Sequence, residues 1–234
     1  MFTLDYLLAN SGLPGPRGNL ELLHAFAAAP DDAVVRACLA LIREDTANGP
    51  EEFAGMCGIV GHAALHRGDL EGTLAFLRPY ASHASWRIRE AVAIALQEIA
   101  EGRVGEVVEG LRPWVEGGAL ERRAVVAALC EPKLLKSPDT NRAVLEILRE
   151  LTDGFAAADQ LAEPEKVLRQ ALGYGLSVAI AAQPVEGKRL LESYRATANA
   201  HVRWIVRENL KKNRLRKMDE AWVESVKASF PPGR

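Results

Sequence analysis

The sequence predicts an all-α fold, a right-handed superhelix of about five to six stacked helix pairs. Three observations carry that expectation. His83, Trp86, Arg89 and Glu90 return as His201, Trp204, Arg207 and Glu208, all displaced by 118 residues, with Ile88 answered by Val206. Self-similarity at a fixed offset marks a repeat architecture, and three units in that interval would each span about 39 residues, a paired-helix length. Leu77-Arg78-Pro79-Tyr80 is echoed by Leu111-Arg112-Pro113-Trp114 at an offset of 34, and Arg123-Ala124 then answers Arg89 and Ala91 after a one-residue slip. Between these landmarks apolar residues recur at helical spacing, punctuated by Gly and Pro, and no segment alternates as a strand would.

The elements follow in order from their start and stop signals. A helix over about 18–29 ends at Pro30, and Asp31 or Asp32 caps the next, which carries Val34, Val35, Cys38, Leu39 and Ile42 on one face. Asn48-Gly49-Pro50 stops that helix and opens another over about 50–67, closed by Gly68. Asp69 caps a helix with Leu70, Leu74 and Leu77, and after Ser82–Ser85 a long amphipathic helix runs over about 85–101 to Gly102. Gly117-Gly118 separates a pair at about 104–116 and 119–131. Ser137-Pro138-Asp139 opens a helix to about 158, Glu163-Pro164 another to about 182, and Gln183-Pro184 the pair 185–199 with 201–217. A short helix over about 219–229 precedes Phe230-Pro231-Pro232. One domain results, with an N-terminal cap at 1–30, repeats at 31–217 and a C-terminal cap and tail at 218–234.

Paired helices in which an apolar-Arg step opens the second resemble HEAT repeats of the armadillo-like class, best over about 69–217, with Arg89, Arg123, Arg169 and Arg207 as the recurring arginines. The stretch Glu121–Leu135 is similar to part of a bacterial group of HEAT-repeat proteins. The resemblance implies an α-solenoid whose concave face binds a partner, in the usual case a protein. One branch of that architecture removes alkylated bases from DNA, using a Trp and an acidic residue four positions later. Trp86 and Glu90, followed by Arg122 and Arg123, resemble that arrangement. The implied catalytic residues are Trp86, Glu90 and Arg123. An electron-rich ring and a carboxylate could embrace a cationic alkylpurine and an oxocarbenium-like sugar.

The doubling of the pattern favours another reading. A catalytic pair is needed once, whereas a helix-joint pattern recurs with every repeat. On that reading His83 and His201 sit at the turn, Trp86 and Trp204 cover it, and the Arg and Glu bond across repeats. The expected protein is then a non-enzymatic scaffold, with DNA binding or base excision as the alternative.

Composition bounds these readings. Hydrophobic residues make up 48% and aromatics 6%, so Ala, Leu and Val dominate the apolar content and suit close helix packing. The net charge of −2 gives no reason to expect a polyanion partner for the whole surface. The exception is Arg203–Lys217, where seven cations stand against Glu208, a net of +6 in fifteen residues. On the helix over 201–217, Arg203, Arg207, Lys211 and Arg214 share a face beside Trp204, a candidate binding patch for phosphates or an acidic partner. The alternative is that cations gather there because a helix C-terminus favours them.

Cys38, Cys57 and Cys130 form no C-x-x-C, and with no basic, apolar leader the chain is expected in a reducing cytoplasm. No run of eighteen apolar residues is present, so no membrane partner is expected. His62 and His66, four apart, could chelate a metal with Asp69, but Ala63 stands where a zinc helix carries Glu, and no metal or cofactor is expected. Gly55, Gly58 and Gly61, like Gly173 and Gly175, predict close approach of neighbouring helices. Cys130 reads as a small buried hydrophobe.

Overall fold

The computed structural model describes residues 2–230, and among them every regular element is helical, with no strand. The chain divides into two compact units, Met1–Leu111 and Arg112–Arg234. The division also separates charge. The first unit holds eight Lys and Arg against fifteen Asp and Glu, a net of −7. The second holds twenty-one against sixteen, a net of +5.

The first unit comprises α1 (Leu4–Ala9), α2 (Leu20–Ala28), α3 (Asp32–Leu39), α4 (Pro50–Leu65), α5 (Leu70–Tyr80), α6 (Trp86–Ala100) and α7 (Val104–Gly110). Its centre is α4, packed by α1, α2, α3 and α6. Pro50 opens α4 with φ preset for a helix, and Phe53–Gly61 is then buried without a break. The glycines make that burial possible. A Cβ on Gly58 would lie 2.9 Å from the Leu39 backbone nitrogen, and one on Gly61 would lie 2.8 Å from Phe26 and Val35. The small-residue face expected from the sequence is therefore the seat of α2 and α3. Asp31 and Asp69 cap α3 and α5 through Val34 N–H and Gly72 N–H, as their positions predict. Gly102 takes φ +83 just after α6, a left-handed stop that residues with Cβ rarely adopt.

The second unit comprises α8 (Arg112–Val115), α9 (Ala119–Leu129), α10 (Pro138–Asp153), α11 (Glu163–Ala182), α12 (Pro184–Ser193), a 3₁₀ turn (Tyr194–Ala196), α13 (Ala200–Leu210) and α14 (Asn213–Ser229). Here α11 is central, lying against α9, α13, α10, α12 and α14. A Cβ on Gly173 would sit 2.8 Å from the Trp204 ring, and one on Gly175 would sit 2.8 Å from Cys130 Sγ and Val126. Gly173 thus faces α13 and Gly175 faces α9. Gly187 meets the Ile180 backbone closely enough that a Cβ would lie 2.6 Å from its Cα.

Several boundaries differ from expectation. The helix at Leu4–Ala9, capped by Thr3, has no counterpart in the sequence reading, because six residues give too little periodicity. The helix expected over 104–116 is interrupted at Leu111, because Pro113 has no N–H to offer the carbonyl a turn earlier. Helix α10 ends at Asp153, short of residue 158. Most consequential, the helix expected over 201–217 stops at Leu210: Lys211 closes α13 and Lys212, at ψ 127, is extended before α14. Helix α14 breaks again at Asp219 (φ −163), which turns its carboxylate onto Trp222 N–H at 2.9 Å and so caps the following turn. The Pro231-Pro232 tail lies outside the described residues.

Candidate functional site

The doubled signature occupies two different positions. In the first unit His83 lies two residues before the cap, Ser85, whose hydroxyl accepts from Arg87 N–H and Ile88 N–H. In the second unit His201 lies two residues after the cap, Asn199, which accepts from His201 N–H and Val202 N–H. The pattern has therefore slipped by four residues, about one helical turn, so the same face is kept while the helix start moves. Ile88, Ala91 and Val92 are buried in α6, as Val202, Ile205 and Val206 are in α13.

What the two copies share is the histidine tether. His83 Nε2 lies 3.1 Å from the Arg43 carbonyl, 40 residues back, and His201 Nε2 lies 3.3 Å from the Asp159 carbonyl, 42 residues back. In both rings Nδ1 is the acceptor, from Ser85 N–H at 3.0 Å or from Arg169 Nη1 at 2.8 Å. Each imidazole is thus the neutral Nε2–H tautomer, donating to the preceding connection. Arg89 closes its own turn instead, donating to the His83 and Ala84 carbonyls at 2.6 and 2.8 Å.

The tryptophans part company. Trp86 is 55% exposed at the first turn of α6, with the Arg87 guanidinium 4.7 Å from its ring centre. Arg87 is 7% exposed, and its guanidinium bonds the buried Glu52 carboxylate at 3.0 Å and the Gly15 carbonyl at 2.9 Å, while Ser85 Oγ–H donates to the other Glu52 oxygen. Arg87 Nε is buried with no partner among the described residues. The cluster fastens α4, α6 and the Gly12–Gly18 loop together. Trp204 is half-buried over Gly173, and its cation is Arg169 of α11, 4.5 Å from the ring. Of the three residues a base-excision reading needs, Trp86 and Glu90 belong to the first unit and Arg123 to the second.

The break at Lys211–Lys212 reorganises the expected basic patch. Arg203 and Trp204 lie on α13 with Arg207, Lys211 ends it, and Arg214 belongs to α14. Lys211 pairs with Glu208 at 2.5 Å, and the Arg203 guanidinium stands 6.0 Å from the Phe230 ring. Arg214 meets Tyr174 of α11: its guanidinium lies 4.7 Å from the ring centre and donates to the phenol oxygen. Lys212 Nζ lies 5.5 Å from the same ring. Tyr174 stays 49% exposed, because Gly173 and Gly175 on either side take the contacts with α13 and α9. Cation–aromatic contact, not a straight helical stripe, gathers these charges.

Tyr174 lies outside the predicted patch, and Lys212, one of the seven cations of Arg203–Lys217, is not placed in it; the Gly173-Tyr174-Gly175 pattern is the signal that could have found the ring. Asn209 also escapes the sequence reading. Its side-chain oxygen accepts from Ser177 N–H at 2.7 Å, and its amide donates to the Leu172 and Ile205 carbonyls at 2.9 and 2.8 Å. One buried amide thereby satisfies backbone groups of α11 across the Gly173–Gly175 segment. A polar residue at an apolar phase of α13 is its signal.

Other chemistry is unpromising. Burial pushes the Cys130 and Cys38 thiols up to about 12 and raises that of Cys57 further, which suits inert packing rather than nucleophilicity. His62 stacks on Phe76 with centroids 3.6 Å apart, and burial holds it below the ordinary histidine value. Asp69 is engaged by Gly72 N–H, and no three His, Cys, Asp or Glu among the described residues are grouped to hold a metal. An open groove of about 320 Å³ between α10 and α12 sets Arg142, Arg149 and Arg189 against Glu146 and Glu186, a mixture that selects neither sign of ligand. No helix among the described residues is long and apolar enough to cross a membrane. Comparison with protein-family models, with curated proteins and with solved structures finds no match for this chain.

Proposed function

We propose that this chain is a non-enzymatic binding protein, a HEAT-like array of helix pairs coiled as a right-handed superhelix, whose second unit takes up an acid-bearing macromolecular partner. A protein is the usual partner of such arrays, and nucleic acid is the alternative that the basic segment offers. One observation carries the reading: Lys212 and Arg214 are held against the half-exposed Tyr174 in the unit whose net charge is +5. Cations ordered by an aromatic ring lose less freedom when an anion arrives than free lysines do. The central glycine-bearing helices, the histidine tethers about 40 residues apart and the Leu-Arg-Pro echo support the repeat character.

Base excision at Trp86 and Glu90 would bring phosphates against the unit of net charge −7, with Arg87 already committed to Glu52. Charge favours the second unit instead. The test is fluorescence anisotropy with labelled polyglutamate, oligothymidylate and duplex DNA carrying an abasic site, titrated at rising salt. Binding to at least one probe should weaken steeply with salt and be lost on Lys212→Glu/Arg214→Glu. Absence of binding to all three at low salt contradicts the reading.

A further inference from the structure

We infer that the partner of the Tyr174 surface is a single-stranded nucleic acid, one base stacking on the Tyr174–Arg214 pair and its flanking phosphates meeting Lys211, Lys212 and Lys217. This rests on the binding role proposed above and names the chemistry of its ligand. A purely acidic protein segment calls for cations alone. Here the cations come with an aromatic surface that the fold leaves open.

Three features converge on it. Gly173 receives Trp204 and Gly175 receives Cys130, so α11 packs on both sides of Tyr174 while the ring itself remains 49% exposed. The chain then breaks after Leu210, and α14 begins with Arg214 bonded to the phenol oxygen and Lys212 5.5 Å from the ring centre. Had the helix run on to residue 217, no such return would occur. Finally, Trp204 stands beside Gly173 with Arg169 4.5 Å from its ring, which sets a second cation–aromatic pair next to the first.

Aromatic platforms interleaved with cations are how single strands are held without a sequence code: the rings and guanidinium planes take the bases, and the amines take the phosphates. A duplex keeps its bases paired and offers the Tyr174 ring no face. It would use the cations alone.

The inference is tested with the full chain and labelled oligothymidylate, its affinity measured against salt by anisotropy. Tyr174→Leu keeps an apolar side chain on the helix and removes the ring; it should weaken oligothymidylate binding by about tenfold. Tyr174→Phe keeps the ring and should bind within about threefold of the parent chain. Lys212→Ala and Lys217→Ala, each removing one phosphate contact, should each lower the salt slope by about 0.7. Thermal unfolding shows which variants remain folded. If polyglutamate and oligothymidylate bind alike and Tyr174→Leu changes neither, the nucleic-acid inference falls while the binding role stands. Tighter binding of duplex than of single strand also overturns it. If no polyanion binds at low salt, both fall together.

Discussion

The two units solve one packing problem with different chemistry. Each is built on a buried, glycine-bearing helix, α4 or α11, that seats its neighbours where a Cβ would clash. Each then locks that helix to the next through one buried polar side chain. In the first unit the lock is ionic, Arg87 on Glu52. In the second it is neutral, Asn209 on Leu172 and Ser177. The difference fits the charges outside. A buried ion pair spends Trp86's neighbouring cation on structure, in a unit already at −7, whereas a neutral lock leaves the second unit's cations at its surface. On the proposed function, packing and binding compete for the same arginines, and the second unit would keep them for ligand.

The largest expected effect is on the ionic lock. Arg87→Ala strands the Glu52 carboxylate and should destabilise the first unit by about 3–5 kcal/mol, read as faster amide exchange in α4 and α6. Replacing both partners by leucine should restore much of the loss, because no buried charge then needs a partner. Asn209→Ala leaves Ser177 N–H and the Leu172 carbonyl without their partner and should lower stability by about 1–3 kcal/mol, with exchange rising in α11 and α13. If Asn209→Ala proved more damaging than Arg87→Ala, the contrast between the locks would be wrong.

A pH titration separates the units more gently. The unfolded thiols ionise near 9, while burial holds Cys38 and Cys130 protonated to about 12 and Cys57 beyond. Below about pH 9 both states keep these protons and the contribution is intact. Above it the unfolded chain loses protons first, so stability falls with rising pH by about 1.4 kcal/mol per unit for each thiol. The first unit, with two of the three thiols, should lose protection sooner in exchange measured between about pH 8 and 10.5. The smallest effect is at Gly105, exposed in α7 with open space where a Cβ would point: Gly105→Ala should stabilise by about 0.5–1 kcal/mol, a shift upward in urea midpoint.

The helical class was legible because its signals are local: Asp31, Asp69, Pro50, Pro138 and Pro184 each stand at or beside the start of a helix. The glycine faces were legible for the same reason, since spacing along one helix fixes them. The site was not. The break between α13 and α14 brings Arg214 and Lys212 against the ring of Tyr174, nearly 40 residues earlier, and no pattern within 201–217 announces that contact. The doubled signature misleads in a related way. Its residues repeat, but the cap that sets helical register is Ser85 before Trp86 and Asn199 before Ala200, so equal letters occupy different turns. Arg87 and Glu52 are 35 residues apart, and no pattern in either helix announces their pairing.

On the proposed function, the second unit and not the chain as a whole binds the polyanion. Charge reversal tests it most directly. Salt-dependent anisotropy with oligothymidylate would be compared for Lys211→Glu/Lys212→Glu/Arg214→Glu and for the same number of reversals at exposed sites of the first unit, Arg17→Glu/Arg36→Glu/Arg43→Glu. Binding should fall by more than about tenfold in the first variant and change little in the second. Equal loss in both would show that only net charge matters, and would contradict that reading.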